Sequence, residues 1–234
     1  MIRRDQIMAL GQHDAGEVGV NVGTAGADGL TTDQVERKAI MAALDGWIRQ
    51  RPGLEYANYG DRASYQSECR SIARDGREAR LLLRAVTWRE SITGLMLREA
   101  FRAFSGRLSW TWDPATRRGK LEYCTGQYWP TEYRKAAAAV LASALWAAAG
   151  NDMPPESAFR VQSWTRYDHD GRTHGRETSV TFTTREAAEA ELAKSGGHSY
   201  GHVQPLHAGL CAGDWLRRYF VREFGRGLAS RWFS

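Results

Sequence analysis

Between Lys120 and Gly150 the chain reads KLEYCTGQYWPTEYRKAAAAVLASALWAAAG: a strand, an aromatic turn and a helix opened by Pro130. From Ala136 to Gly150 no residue carries a charge. A surface helix shows a polar face; this one shows none past its first turn, which predicts burial nearly all round. The run is also too short to span a bilayer, where about 20 apolar residues are needed. It is therefore expected to be the central helix of a core, and the rest of the chain must supply its cover.

The preceding hundred or so residues read as that cover. Thr31 with Gln34 forms a capping box that opens a helix to about Arg49. Val35, Ile40, Ala43, Leu44, Trp47 and Ile48 lie on one face of it, and Arg51-Pro52-Gly53 ends it. After the loop LEYANYG a long helix is expected from Asp61 to Val86. Tyr65, Cys69, Ile72, Gly76, Ala79, Leu83 and Val86 form its heptad-like seam. Thr87 with Glu90 offers a second capping box, for a helix with the apolar face Ile92, Met96, Leu97, Phe101 and Phe104, stopped by Ser105-Gly106. RLSWTW (107–112) and KLEYCTG (120–126) then alternate as the two arms of a β-hairpin.

After Gly150 the pattern changes. FRVQSWTRYD and RETSVTFTT read as strands joined by the polar turn HDGRTHG; a short helix follows Thr184, and HSYGHVQPL reads as a return strand. From Gly213-Asp214 a C-terminal helix runs WLRRYFVREFGRGLASRWFS, with Leu216, Phe220, Phe224, Leu228 and Trp232 stepping by four. The expected fold is α+β, in four parts. Residues 1–30 form a Gly-rich flexible tail, in which 18–22 could make a short strand. Residues 31–150 form a helical core domain with an inserted hairpin, 151–208 a small ββαβ module, and 209–234 an amphipathic helix packing on the core.

A composition of 42% hydrophobic and 25% charged residues is globular. The formal net charge of +5 is unevenly spread: residues 31–150 carry +6 and 209–234 carry +3, while 1–30 and 151–208 carry −2 each. Of the basic residues only Lys38, Lys120, Lys135 and Lys194 are lysine. Two arginine-rich blocks permit a nucleic-acid or acidic-protein partner. Cys69, Cys124 and Cys211 are far apart, with no CxxC pair, so neither a disulfide framework nor a cysteine zinc site is suggested. A reducing cytoplasm is the compartment this implies. The N-terminal apolar run, Ile7 to Leu10, is too short for a signal-peptide core, and no membrane segment is expected.

Few residues promise catalysis. Gly197-His198-Ser199-Tyr200-Gly201 satisfies G-x-S-x-G, but the nucleophile elbow needs a strand before the serine and a helix after it, and here the order is reversed. His198, His202 and His207, with Asp168, His169, Asp170 and His174, could serve a hydrolase or nuclease. Their spacing around glycines does not place two ligands on one helical face, and exposed loop histidines are the plainer account. No phosphate loop, paired-carboxylate pattern, metal site or cofactor site stands out, and Cys124 reads as a small buried residue. Binding is better supported. Arg70, Arg74, Arg77 and Arg84 run along the second helix with Glu68, Asp75 and Glu78, where a phosphate-binding face competes with a solvated face of local pairs such as Arg74–Glu78. Arg217, Arg218, Arg222 and Arg226 alternate with aromatics on the C-terminal helix. Trp215, Tyr219, Trp232 or Phe233 could stack there on bases, unless the helix simply docks on the core. A helix-turn-helix is disfavoured by the long connection RPGLEYANYG.

Three stretches, IRQRPGLEYANYGDRASYQSECRSI (48–72), REAFRAFSGRL through YCTGQYWPTEYRKAAAAVLASALW (98–146) and GDWLRRYFVREFGRGLASRWF (213–233), resemble an uncharacterised family of accessory proteins carried by bacterial plasmids and integrative conjugative elements. The resemblance implies a setting in mobile DNA, where anti-restriction and anti-CRISPR proteins and DNA-binding regulators are common. The expectation is a non-enzymatic protein that binds nucleic acid or a host defence complex.

Overall fold

The computed structural model describes residues 29–49, 58, 60–102, 108–123, 132–169, 172–194 and 199–233. The fold is α+β, and the chain divides into two compact units: Met1–Asn151 with Ser230–Ser234, and Asp152–Ala229. The expected tail and its strand at 18–22, the loop after Arg49, the stop at Ser105-Gly106, the turn at Cys124 and the opening at Pro130 lie outside the described residues.

The first unit contains α1 (Thr32–Arg49), α2 (Arg62–Trp88), α3 (Gly94–Arg102), the antiparallel hairpin β1 (Leu108–Asp113) and β2 (Arg118–Tyr123), and α4 (Glu132–Asn151). Every residue of α4 from Ala136 to Leu145 is buried, as are Ala148 and Ala149. All three preceding helices pack on it. They contribute Ile40, Leu44 and Ile48, then Ile72, Ala79, Leu82 and Val86, then Leu97 and Phe101 to the core. Alanine suits such a helix, because it loses no side-chain entropy on ordering and leaves room for the larger residues around it. Among the described residues no helix is long and apolar enough to cross a membrane.

Polar side chains fix how these helices meet. The capping box forms as the sequence predicts: Gln34 N–H donates to Thr31 Oγ1 (3.2 Å) and Thr31 N–H to Gln34 Oε1 (2.9 Å). Glu36 is only 1% exposed. It accepts from Arg98 Nε at 3.0 Å and Trp110 Nε1 at 2.9 Å, tying α1 to α3 and to the hairpin. Arg37 Nη2 donates to the carbonyls of Val86 (2.9 Å), Thr87 and Arg89 (both 3.3 Å), at and just past the end of α2. Arg134 of α4 donates from Nε to the Ile48 carbonyl (3.0 Å) and from Nη1 to the Ile72 carbonyl (3.2 Å). It passes over Gly76, where a Cβ would stand 3.1 Å from Nη1. Burial, then the charge of Arg80, pulls the Arg134 guanidinium below its ordinary pKa, with Asp75 opposing.

The last residues of the chain belong to this unit. Arg231 pairs with Asp75 through Nη2 and donates from Nη1 to Glu78 at 2.8 Å; Trp232 Nε1 donates to the same Glu78 oxygen at 2.7 Å. Phe233 stacks on Trp146 with ring centroids 6.3 Å apart. Burial alone would lower the Arg231 pKa, but the hydrogen bonds and charges of Asp75 and Glu78 outweigh it and raise it.

Three expectations are corrected here. The Thr87–Glu90 box does not form: α2 runs on to Trp88, and Thr87 Oγ1 donates back to the Leu83 carbonyl at 2.8 Å. The third helix opens instead at Gly94, where Thr93 Oγ1 accepts from Met96 N–H (3.1 Å). Asp33 of α1 accepts there from Gly94 N–H (3.0 Å) and Leu95 N–H (2.9 Å). A Cβ at Gly94 would lie 2.7 Å from the Asp33 carbonyl oxygen, so this long-range cap requires glycine. The C-terminal helix is two helices, α6 (Ala212–Phe224) and α7 (Arg226–Trp232), broken at Gly225 with φ +79°. A left-handed residue interrupts the helical ladder there, so the four-residue stripe does not continue as one face.

The second unit is built on the antiparallel sheet β4-β3-β5-β6, formed by β3 (Glu156–His169), β4 (Arg172–Phe182), β5 (Ser199–His207) and β6 (Leu210–Cys211). The helix α5 (Arg185–Lys194) packs on β3, β4 and β5. Its Leu192 approaches so closely that a Cβ at Gly201 would lie 2.4 Å from Leu192 Cδ1. The β3–β4 ladder extends to His169↔Arg172, so His169, Arg172, Thr173 and His174 sit in paired strand and not in the expected turn. Ala208 (φ 49°) and Gly209 (φ 79°) turn β5 into β6, the two left-handed residues a tight hairpin needs.

This architecture makes two results predictable. Replacing Arg231 by Ala strips the Asp75 carboxylate, 0% exposed, of its nearest counter-charge, with only Arg74 left at 3.9 Å. It should cost about 3 kcal/mol in urea denaturation, with Arg231→Lys recovering only part; a change too small to resolve would contradict this role. Backbone and hydroxyl hydrogen bonds from Ser64 hold the Asp61 carboxyl below its usual pKa. Its support for the start of α2 is thus complete above the unfolded carboxylate pKa and is lost as pH falls through the lower folded value. Amide exchange in the first turn of α2 should therefore accelerate on acidification, and Asp61→Asn should abolish that pH dependence.

Candidate functional site

On α2 the charges separate by face. Ile72, Asp75, Gly76, Ala79, Leu82 and Val86 are buried, which shifts the predicted seam to include Asp75 and to leave Leu83 half-covered. Glu78 is only 16% exposed and is held by Arg231 and Trp232, so the expected Arg74–Glu78 pair does not form. The arginines point the other way. Advancing by about 100° per residue, Arg70, Arg74, Arg77 and Arg84 share the side opposite the core, and all are exposed. Arg70, Arg77 and Arg84 have no ion-pair partner among the described residues, while Arg74 reaches Ser71 Oγ at 3.5 Å and Asp75 at 3.9 Å. A depression of about 590 Å³ is lined by Ser67, Glu68, Arg70, Ser71, Ala73, Arg74 and Arg77, bringing two hydroxyls and one carboxylate beside three guanidinium groups.

In the second unit α6 follows directly from the sheet and buries Leu216 and Phe220. The opposite sector of the helix holds Arg218, Arg222, Trp215 and Tyr219 within about 100° of one another. Trp215 and Tyr219 stack at 5.3 Å between centroids with planes 20° apart, and the Arg222 guanidinium lies over the Tyr219 ring at 5.6 Å. Both aromatic rings are half-exposed, and both arginines are exposed. The ring–ring–guanidinium ladder presents π faces and positive charge together.

The remaining predicted positions do not join this face. Arg217 is exposed but lies toward the other flank of α6, and Arg226 falls beyond the break at Gly225. The Arg231 guanidinium lies over the Trp232 ring at 5.2 Å while Trp232 Nε1 donates to Glu78, and Phe233 is 2% exposed, so both are engaged with the first unit. His202 is an exposed residue of β5, and His207, 9% exposed, places Nδ1 2.7 Å from the Pro154 carbonyl oxygen. Asp170, Gly197 and His198 lie outside the described residues. Among the described residues no three His, Cys, Asp or Glu side chains gather as a metal site would require.

Sequence reasoning passed over Leu81 and Trp88, which with Arg84 complete the outer line of α2. Their signal was a second heptad phase, 70-74-77-81-84-88, half a turn from the buried one. Set against protein-family models, curated proteins and solved structures, the chain finds no match.

Proposed function

We propose that the chain acts by binding nucleic acid, in the setting of bacterial mobile DNA that the resemblance implies, and not by catalysis. The observation that carries this reading is the exposed sector of α6. There Trp215 stacks on Tyr219, Arg222 covers the Tyr219 ring and Arg218 stands beside them. Arginine supplies phosphate contacts and the half-exposed rings offer π faces on which an unpaired base can stack, which favours a single strand over a duplex. The burial pattern supports the same reading: α6 buries Leu216 and Phe220 and leaves Arg218 and Arg222 exposed.

Salt-dependent binding of a single-stranded oligonucleotide tests this. Arg218→Glu with Arg222→Glu should weaken binding and flatten the log–log salt slope by about 0.7 for each phosphate no longer neutralised. The melting temperature should stay near that of the parent chain, since both side chains are exposed. Trp215→Ala or Tyr219→Ala should cost about 1–3 kcal/mol for each stacked base with the salt slope unchanged. Arg217→Ala serves as the off-face control. Absence of binding at low salt, or arginine variants that bind like the parent, would refute the reading.

A further inference from the structure

The outer face of α2 carries a pattern that nucleic-acid binding does not account for. Arg70, Arg74, Arg77, Leu81, Arg84 and Trp88 are spaced 4-3-4-3-4, so they form one straight stripe about 27 Å long. Its first half is basic. Its second half carries two of the most exposed large apolar side chains of the described residues, Leu81 at 53% and Trp88 at 76%. The inward-facing acids Asp75 and Glu78 are engaged by Arg231, with Arg74 only at 3.9 Å from Asp75, and four arginines against the one acid Glu68 leave the stripe with a net positive charge. A phosphate backbone would use the arginines but gains nothing from Leu81. A second copy of this chain would set arginine against arginine. An α-helix with acidic residues facing Arg70, Arg74, Arg77 and Arg84, and apolar ones facing Leu81 and Trp88, satisfies every position at the heptad spacing.

We propose that this stripe is the docking site for an acidic amphipathic helix of a partner protein, packed along α2 in coiled-coil fashion. The helix lies with its apolar end at Leu81 and Trp88 and its carboxylates over Arg70, Arg74 and Arg77. Burying the two apolar side chains supplies affinity, and the arginines set orientation and reject basic helices. The surface belongs to the first unit and is independent of the α6 face, so either can fail without the other.

The test is fluorescence anisotropy of the full chain with a labelled synthetic peptide of about four heptads. Its Glu and Leu positions match the stripe, and a peptide of the same composition with the heptad order scrambled is the control. Duplex DNA serves as the phosphate probe. The matched peptide should bind and gain helicity by circular dichroism, with the scrambled peptide at least roughly tenfold weaker. Leu81→Ser with Trp88→Ser should weaken binding about tenfold or more, as expected when two buried apolar side chains are truncated. Arg77→Glu with Arg84→Glu should weaken it similarly, while Arg218→Glu should leave it unchanged. Thermal melts confirm that each variant folds, and Arg84→Gln alone stands in should a double variant not. Equal binding of the scrambled peptide, indifference to Leu81 and Trp88, displacement by duplex DNA with the same indifference, or no binding at all would each overturn the proposal.

Discussion

A helix without a polar face can exist in water only if other parts of the chain cover it on every side, and α4 imposes that demand on the first unit. α1, α2 and α3 all lie against it. Its alanines let them approach, and each approaching helix must then turn its own charges away from α4 or pair them. The solution differs from helix to helix. α1 sends Glu36 and Arg37 sideways to its neighbours. α2 turns Asp75 and Glu78 toward the C-terminal residues and leaves its arginines facing water. The arginine face is thus the outer side of a packing requirement, which is why it is straight and uninterrupted.

Several polar contacts among the described residues of this unit fall at helix ends. Arg37 takes the carbonyls at the end of α2, Arg134 takes one at the end of α1, and Asp33 takes the first N–H groups of α3. Each is a long-range substitute for a local cap. Hydrophobic burial sets which faces meet; these contacts set the offset along the helix axes, because a slide of one residue would leave buried donors and acceptors unpaired.

The α+β class, the buried character of α4, the Thr31 capping box and the β-hairpins were legible because each depends on neighbours in sequence. What was not legible depends on distant partners. Thr87 and Glu90 satisfy the local rule for a helix start, but the cap at Gly94 comes from Asp33, and a sequence window does not contain both. Arg74 and Glu78 have the right spacing for a pair, yet Glu78 is claimed by Arg231 and Trp232 from far along the chain. Gly225 could sit within a helix or end one, and only its left-handed backbone decides that Arg226 leaves the face of Arg218 and Arg222. On α6, the arginines and aromatics were readable as candidates; which of them share a sector became clear only once Leu216 and Phe220 fixed the buried side.

The Arg231–Asp75 contact joins residues 156 positions apart. During synthesis Asp75 leaves the ribosome long before Arg231 does, and the whole of the second unit is made in between. Nascent α2 must therefore wait with an acidic residue facing its core side, its final neutralising partner still unmade. The entropy of closing so long a loop grows only logarithmically, so the finished unit tolerates the arrangement well. The order of assembly, however, is fixed: the first unit reaches its native charge balance only after the second has been translated.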